Sequence, residues 1–291
     1  MHVMEVQPGS ASDRGLSGPP LRGALPNTGG LAKERANPLG SYLRARRERV
    51  TPEQAGIAAS GARRVPGLRR EELAMLAGIS ADYYLRLERG RDRHPSGQVL
   101  DALAGALRLD ADEAAHLHVL ASQPVARRRG ASRDTAVPPS ATDLLHSLPH
   151  PAFIEDRYLT VIDANEHAVA LDPRLAPGRN QLRDLILDAD ERAMYPDADL
   201  AAACLIASLR HSIGNDLADP RFVQLTDELH DASETFRRTW SRHDVRAQRG
   251  ATLRLIHPVD GELHLNREQL AINATAGLKL VVYSPVRMTA P

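Results

Sequence analysis

Residues 68–96, LRREELAMLAGISADYYLRLERGRDRHPS, contain the pattern that decides the fold of the first half of the chain. Apolar residues recur at helical spacing up to Ala77, and Gly78 can take the positive φ that ends a helix. Ser80 can then accept a hydrogen bond as the N-cap of a second helix, which Gly90 would close. Two short helices joined by a tight turn are the plan of a helix-turn-helix, whose second helix enters the DNA major groove. The spacing therefore predicts a DNA-binding motif.

The second helix of this motif has two chemically different faces. Tyr84 and Leu87 fall on one side, so we assign both to the core. The opposite side carries Arg86, whose guanidinium can bind guanine O6 and N7 in a bidentate contact worth about 1–3 kcal/mol. The residues expected to contact base edges are Arg86, Asp82, Ala81 and Leu85.

The other positions on this face have simpler chemistry. Asp82 could accept a hydrogen bond from a cytosine amino group, although stabilising the helix N-terminus is the preferred interpretation. Ala81 and Leu85 could touch thymine methyl groups. A further set is expected to bind phosphates, which positions the domain without reading bases. This set comprises Arg70, Arg63, Arg64, Tyr83, Arg89, Arg91 and Arg93.

Length and composition limit the class of protein. The chain has 291 residues, of which 42% are hydrophobic, and this suffices for two domains with their own cores. No stretch approaches the roughly 18–20 apolar residues of a membrane span, and no signal-peptide pattern begins the sequence. We therefore expect a cytoplasmic protein without a membrane partner. The single cysteine, Cys204, lies in the apolar run AAACLIASL and is expected to be a buried structural thiol.

A net charge of zero conceals an asymmetry between the two halves of the chain. Residues 39–133 hold 17 arginines against 11 acidic residues, a net charge of +6. Residues 141–291 hold 15 arginines and one lysine against 22 acidic residues, a net charge of −6. A basic first half suits phosphate contact, whereas DNA would repel an acidic second half.

Composition also divides the chain into four segments. Residues 1–37 are rich in Gly, Pro and Ser without periodicity, so we expect a disordered tail. Residues 38–122 alternate helical patterns with short connections, as a five-helix domain would. Residues 123–140 are expected to be a linker, in which the arginines at 127–129 could touch phosphates or simply be solvated. We expect residues 141–288 to form the second domain.

The pattern of the second domain is typical of an α+β fold. Two short β-prone runs, 152–154 and 158–162, flank a polar turn and predict a hairpin. Helical patterns follow, and three strand-like runs close the chain. This order predicts an antiparallel sheet with helices on one side, close to a PAS-like sensor fold. The helices are expected at 165–171, 200–213 and 222–241, the last broken near 232–233, and the closing strands at 252–257, 262–266 and 278–284.

The first half resembles the DNA-binding domain of the Xre-type, phage-repressor-like regulators. The segment LGSYLRARRERV is similar to helix one of that domain, RRVPGLRREELA to its entry into helix two, and YYLRLERGR to its recognition helix. PSGQVLDALAGALRLDADEAAHL is similar to its fourth and fifth helices. The long connection between Thr51 and Pro66 is typical of the branch that carries an MmyB-like domain. The resemblance implies an all-α, five-helix, lambda-repressor-like domain that binds double-stranded DNA.

The second half resembles the MmyB-like ligand-binding domain. PAFIEDRYLTVIDANEHAVAL is similar to its opening hairpin and Asn-bearing helix, and LRHSIGNDLADPRFVQLTDELHDASETFRRTWSRHDV to its most distinctive run. HPVDGELHLN and LKLVVYSP are similar to its terminal strands, whereas Asp163 and Ala164 stand where the family tends to carry an aromatic. The resemblance implies a pocket for a fatty-acid-like or other lipophilic ligand. Its candidate lining residues are Asn165, Phe236, Trp240 and His243, and the alternative for Phe236 and Trp240 is that they anchor their helix to the sheet.

These observations favour a ligand-responsive transcription regulator. A small domain of this type makes few base contacts, so we expect a homodimer on a near-palindromic operator. The alternative is a protein-interaction module that keeps the helix-turn-helix fold without specific DNA readout. No catalytic triad, phosphate-binding loop or metal-ligand spacing stands out, so we expect no enzyme, no metal site and no cofactor.

Overall fold

The computed structural model of the chain describes residues 29–57, 66–122, 136–246, 250–275 and 277–286. Among the described residues up to 122, all the regular secondary structure is helical. The helices of this first half are α1 (Gly29–Ala36), α2 (Pro38–Arg49), α3 (Arg70–Leu76), α4 (Ala81–Glu88), α5 (Gly97–Ala106) and α6 (Ala111–Ala121).

The second half combines a sheet with helices, which confirms the α+β class. Its strands are β1 (Ala152–Glu155), β2 (Val161–Ala164), β3 (Ala251–His257), β4 (Gly261–Ala271) and β5 (Lys279–Pro285). Its helices are α7 (Pro139–Ser147), α8 (Glu166–Leu171), α9 (Gln181–Leu187), α10 (Ala189–Ala193), α11 (Ala198–Ile213), α12 (Pro220–Ala232) and α13 (Glu234–Trp240), with a 3₁₀ turn at Pro173–Leu175.

Helices α2 to α6 pack around one apolar core, which confirms the all-α five-helix domain. Each of the five contributes a leucine that has no exposed surface, and the five pack in a single cluster. Burying a leucine side chain contributes about 1.5–3 kcal/mol, so this cluster is the main source of the domain's stability. The five are Leu43, Leu73, Leu87, Leu103 and Leu117.

The turn between α3 and α4 has the geometry that the sequence pattern predicts. Gly78 has a φ of 65° and Gly90 a φ of 67°, a region that glycine enters without strain. The Ser80 hydroxyl accepts a hydrogen bond from the Tyr83 amide at 3.1 Å and so caps α4. Helices α3 and α4 therefore form the helix-turn-helix.

The sheet of the second domain is antiparallel, with the strand order β2-β1-β5-β4-β3. Phe153 of β1 pairs with Val281 of β5, and both are fully buried on the same face. Strand β4 extends five residues beyond the predicted end at Asn266. The extension was hidden in the sequence because Arg267, a charged residue, occupies a core position of the strand.

Helices cover both faces of the sheet at its β2–β1 end, so the expected one-sided arrangement is wrong there. Phe153 points to the side of the sheet where Ala168 of α8 packs. Its neighbour Ile154 points to the other side, against Leu145 of α7. Successive residues of a strand face opposite ways, and both faces of β1 are apolar, so each needs a cover.

Residues 29–37 correct the expectation of a disordered tail over 1–37. Residues 29–36 form helix α1, in which Leu31 is 3% exposed and packs in the helical core of the second domain. The helix is fixed by these tertiary contacts rather than by its own periodicity, which explains why composition did not reveal it. Residues 1–28 lie outside the described residues.

The predicted linker, residues 123–140, also ends earlier than expected, because α7 begins at Pro139. Proline suits this first position of a helix. The arginines at 127–129 lie outside the described residues. In the part of the chain that the structure describes, no helix is long and apolar enough to cross a membrane.

Candidate DNA-binding surface and ligand cavity

Helix α4 presents two of the four predicted base-contacting residues on its exposed face. Asp82 and Arg86 are exposed, whereas Ala81 and Leu85 are partly buried. Arg86 Nη1 lies 2.6 Å from Asp82 Oδ2, one helical turn away, and the guanidinium carbon lies 5.3 Å from the ring centre of Tyr83. Two neighbours on the same helix therefore hold the guanidinium at the surface, a role for Asp82 that the sequence interpretation missed.

The inner face of α4 is fixed by a buried carboxylate. The Glu88 side chain has no exposed surface and accepts hydrogen bonds from Arg47 Nε at 2.8 Å and Arg70 Nε at 2.6 Å. The Tyr84 hydroxyl also donates to Glu88, at 3.0 Å. Burial alone would raise the pKa of Glu88, yet hydrogen bonds from Arg70 and Arg47 hold it below its usual range. Tyr84 and Leu87 are fully buried, which confirms their assignment to the core.

Arg70 thus forms an ion pair with Glu88 in addition to its predicted contact with a DNA phosphate. Its side chain is 42% exposed, so the group reaches from the buried Glu88 to the surface of the domain. Sequence reasoning missed Glu88 because a single glutamate near a helix C-terminus gives no sign of burial. The available signal was its position four residues after Tyr84, on the core side of α4.

The remaining predicted phosphate contacts lie around the same surface. Tyr83 is partly buried, and burial raises the pKa of its hydroxyl. Arg89, Arg91 and Arg93 are exposed, and no carboxylate of the described residues lies within ion-pair distance of them. Arg63 and Arg64 lie outside the described residues.

A mostly apolar cavity of about 230 Å³ lies between α11 and the part of the sheet that carries Leu253 and Tyr283. Leu200, Cys204 and Leu205 of α11 form one wall, and Leu253 and Tyr283 of the sheet form the other. Cys204 is only partly buried and lines this cavity, so the expectation that it is a buried structural thiol is wrong in its burial. Sequence reasoning missed this site because its walls come from segments far apart in the chain.

One end of the cavity is polar. Arg267, whose side chain is 8% exposed, lies 3.5 Å from Glu155 Oε2, and Gln181 and Gln269 donate hydrogen bonds to the same carboxylate. Burial alone would lower the pKa of Arg267, but Tyr283 and Glu155 hold it above its usual value. The cavity therefore ends on a permanent cation that is already balanced by one carboxylate.

None of the four predicted ligand-contacting residues lines this cavity. Asn165 caps α8, because its Oδ1 accepts from the Ala168 amide at 2.9 Å and the Ala152 amide at 3.1 Å. Its Nδ2 donates to the carbonyl of His150 at 2.8 Å, so the side chain joins α8 to the start of β1. This is a structural role.

Phe236 and Trp240 pack in the helical core instead. Their rings stack with centres 5.4 Å apart, and Phe222 of α12 lies 6.0 Å from Trp240. Phe236 is fully buried in a cluster that includes Leu209 of α11. The alternative that they anchor their helix is therefore supported, with the difference that they anchor it to other helices rather than to the sheet.

His243 and Trp240 lie at the junction between the two domains. Trp240 Nε1 donates to Glu34 Oε2 of α1 at 2.9 Å, and Arg210 Nη1 lies 2.6 Å from the other oxygen of Glu34. The His243 carbonyl accepts from Arg46 Nη2 of α2 at 2.9 Å. Val245, two residues later, is buried in the core of the DNA-binding domain.

The described residues contain no group of His, Cys, Asp and Glu side chains that could hold a metal ion.

Family comparisons agree with this architecture. Residues 137–290 match the model of the MmyB-like transcription regulator ligand binding domain, and residues 38–117 match a helix-turn-helix domain. No curated protein matches the chain. The two domains define a DNA-binding transcription regulator with a ligand-sensing domain, a class whose members are typically not enzymes. Within that class, the chain belongs to the MmyB-like family, whose model covers more than half of its length.

Proposed function

We propose that this regulator reads a specific, near-palindromic operator as a homodimer. The observation that supports the proposal is the two-sided nature of α4. Asp82 and Arg86 lie in solvent, whereas Tyr84 and Glu88 anchor the opposite face to the domain. A helix with one fixed face and one free face fits the major groove.

The contact between Asp82 and Arg86 does not prevent base recognition. Exposed ion pairs of this i,i+4 type contribute about 0.3–0.5 kcal/mol. A bidentate arginine–guanine contact contributes about 1–3 kcal/mol of discrimination, so guanine would outcompete Asp82 for the guanidinium. In the free protein, Asp82 keeps Arg86 ordered on the helix surface.

Fluorescence anisotropy with a labelled duplex from the promoter of the protein's own gene tests this proposal. We expect a specific complex whose affinity falls steeply with salt, because phosphate contacts release counterions. Arg86→Ala should reduce discrimination between operator and random duplex by about 5- to 150-fold. Arg238→Ala, at an exposed position of α13 that lies neither in the cavity beneath α11 nor on the DNA-binding helix, is the control. If the wild-type chain binds both duplexes equally, or neither, the protein-interaction alternative is favoured.

We further propose that the cavity beneath α11 takes the ligand and that the ligand is small and lipophilic. Leucines from α11 and β3 supply its apolar walls, and Glu155 already balances Arg267 at its polar end, which suits a ligand without a strong charge. The volume of about 230 Å³ lies below the range of about 300–1,000 Å³ for typical ligand sites, which favours a small molecule.

Helix α11 supplies a route from this cavity to the DNA-binding domain. Leu200 and Cys204 line the cavity, and Arg210 on the same helix contacts Glu34 and the Trp240 carbonyl at the junction. A ligand that displaces α11 therefore changes contacts that hold the two domains together. Such a ligand alters DNA binding to the extent that its affinity differs between the domain arrangement that binds DNA and the one that does not.

Native mass spectrometry of the protein as purified from cells tests the ligand and the dimer together. We expect a dimer mass and a mass shift from a retained lipophilic molecule. Leu205→Trp, which fills the cavity, should remove the shift, whereas Leu144→Trp at an exposed site on α7 should keep it. A shift that persists in the Leu205→Trp variant would place the ligand elsewhere.

A further inference from the structure

A second, larger cleft of about 680 Å³ lies between the two domains. Its walls come from α1 and α2, the end of α4, and α13. It shares no lining residue with the cavity beneath α11, and Arg86 does not line it. The cleft is therefore a separate candidate site.

The charges on the walls of this cleft are predominantly positive. Two of its three acidic residues are already neutralised, because Glu34 pairs with Arg210 and Glu88 accepts from two arginines. The third, Glu48, is exposed and has Arg47 at 3.7 Å. The basic residues of the walls are Lys33, Arg44, Arg89, Arg93 and Arg237.

These five basic side chains have no counter-charge in the part of the chain that the structure describes. No described carboxylate lies within 4.0 Å of any of them. Arg44 Nε is moreover buried and has no hydrogen-bond acceptor among the described residues. A buried donor without an acceptor costs about 1–3 kcal/mol, so an acceptor in the cleft would recover that energy.

We propose that this cleft binds a phosphate-type oxyanion. Several arginines around one concave site favour a multiply charged oxyanion, because guanidinium groups donate paired hydrogen bonds to phosphate oxygens. The volume accommodates a phosphorylated small molecule. The phosphate comes either from such a molecule or from the DNA backbone, since Arg89 and Arg93 also flank the recognition helix.

The bound anion would join the two domains, because both supply its ligands. Arg44, Arg89 and Arg93 belong to the DNA-binding domain, whereas Arg237 belongs to α13 of the sensor domain. An anion in the cleft therefore stabilises the arrangement in which these two groups of cations lie together. This link involves neither the residues that line the lipophilic cavity nor Arg86.

The single tryptophan of the chain reports on the cleft, because Trp240 lines it. Titration of the full-length protein with inorganic pyrophosphate, against sodium chloride at matched ionic strength, should give a saturable change in its fluorescence. We expect a midpoint below about 1 mM, and at least a tenfold increase in the Lys33→Gln/Arg44→Gln variant. Neither side chain makes a hydrogen bond or ion pair within the described residues, so the variant should fold like the wild type.

The control variant removes two positive charges elsewhere. Arg238→Gln/Arg183→Gln alters the neighbour of Arg237 on α13 and an exposed position of α9, and neither residue lines the cleft or the cavity beneath α11. Its midpoint should equal that of the wild type. If the double variant of the cleft proves unstable in a thermal melt, Lys33→Gln alone, at an exposed position, gives the same comparison.

A second arm distinguishes the two sources of phosphate. If DNA supplies the phosphate, pyrophosphate gives no response, and the Lys33→Gln/Arg44→Gln variant weakens binding to all duplexes alike and lowers the salt slope by about 1–2. The proposal is overturned if this variant behaves like the control in both arms. The pyrophosphate arm contains no DNA, so its result stands whether or not the chain reads an operator.

Discussion

Glu88 lies where three helices of the DNA-binding domain meet. It receives Arg47 from α2, Arg70 from α3 and the Tyr84 hydroxyl from its own helix. The inner face of the recognition helix is thereby fixed by charge as well as by apolar packing. Removing one member of a buried ionic cluster is costly because the others keep their charge without a partner.

Glu88→Gln should therefore destabilise the DNA-binding domain by about 3 kcal/mol. The amide keeps the shape of the side chain but leaves Arg47, which is 6% exposed, with only the exposed Glu48 carboxylate at 3.7 Å. Urea denaturation gives the change in the free energy of unfolding. Glu48→Gln, at a 56% exposed position on α2, should change it by less than about 0.5 kcal/mol. Equal effects in the two variants would show that the ion pairs of Glu88 contribute nothing.

The sequence alone assigns the role of some single residues and leaves that of others open. Arg86 could be placed on the outer face of its helix because helical period alone separates it from Tyr84 and Leu87. Phe236 and Trp240 could not be assigned, because a core and a ligand pocket both require large apolar side chains. Only the three-dimensional arrangement shows that they stack in the core, while leucines of α11 and β3 form the cavity.

At the scale of elements, the beginning of α4 depends on one side chain. The Ser80 hydroxyl satisfies an amide of the first turn that no backbone carbonyl can reach. Ser80→Ala should lower the free energy of unfolding by about 1 kcal/mol, whereas Ser80→Asp should stay close to the wild type because a carboxylate also caps a helix. Thermal denaturation of the two variants tests the difference. Identical melting temperatures would exclude a capping role.

Helix α1 is held by the second domain although it precedes the first. Leu31 enters the helical core, Glu34 accepts from Arg210 and Trp240, and Arg35 binds Asp227 at 2.5 Å. A helix of eight residues has little stability of its own, so these contacts keep it folded.

Leu31→Ser should consequently release α1 from the second domain. We expect faster hydrogen–deuterium exchange at residues 29–36, with unchanged protection in α5 and α6. Ala32→Ser is the matched control, because Ala32 is exposed on the same helix. Unchanged exchange in the Leu31→Ser variant would mean that the ion pairs alone hold α1 in place.

The elements that the sequence predicted are those with a strong local signal. The break between α12 and α13 was predicted and occurs at Ser233, which caps α13 by accepting from the Phe236 amide at 3.1 Å. Helices α1, α7, α9 and α10 were missed, because each is at most nine residues long and short helices owe their stability to tertiary packing.

At the scale of the whole molecule, the junction brings charges from both domains around buried histidines. His243 lies near Arg210 of α11, Glu34 of α1 and Arg46 of α2, and is followed by Asp244, which pairs with Arg49. His116 of α6 packs edge-on against Tyr42, whose ring also faces His243. Burial, reinforced by Arg210, lowers the pKa of both histidines to about 3.

The contacts between the domains should therefore weaken in mild acid. An unfolded histidine titrates near pH 6.5, so between about pH 6.5 and pH 3 the unfolded chain binds more protons than the native one, and stability falls as the pH falls. Above about pH 6.5 the two histidines are neutral in both states, so they no longer lower the free energy of unfolding. At pH 5 each of the two histidines should have lowered the free energy of unfolding by about 2 kcal/mol.

His243→Gln should remove roughly half of this loss in the free energy of unfolding, as measured by urea denaturation at pH 7.5 and pH 5.0. His264→Gln, on an exposed position of β4, should leave the loss unchanged. The same loss in His243→Gln as in the wild type would mean that the junction does not respond to protonation of His243, and that acid acts on the domains separately.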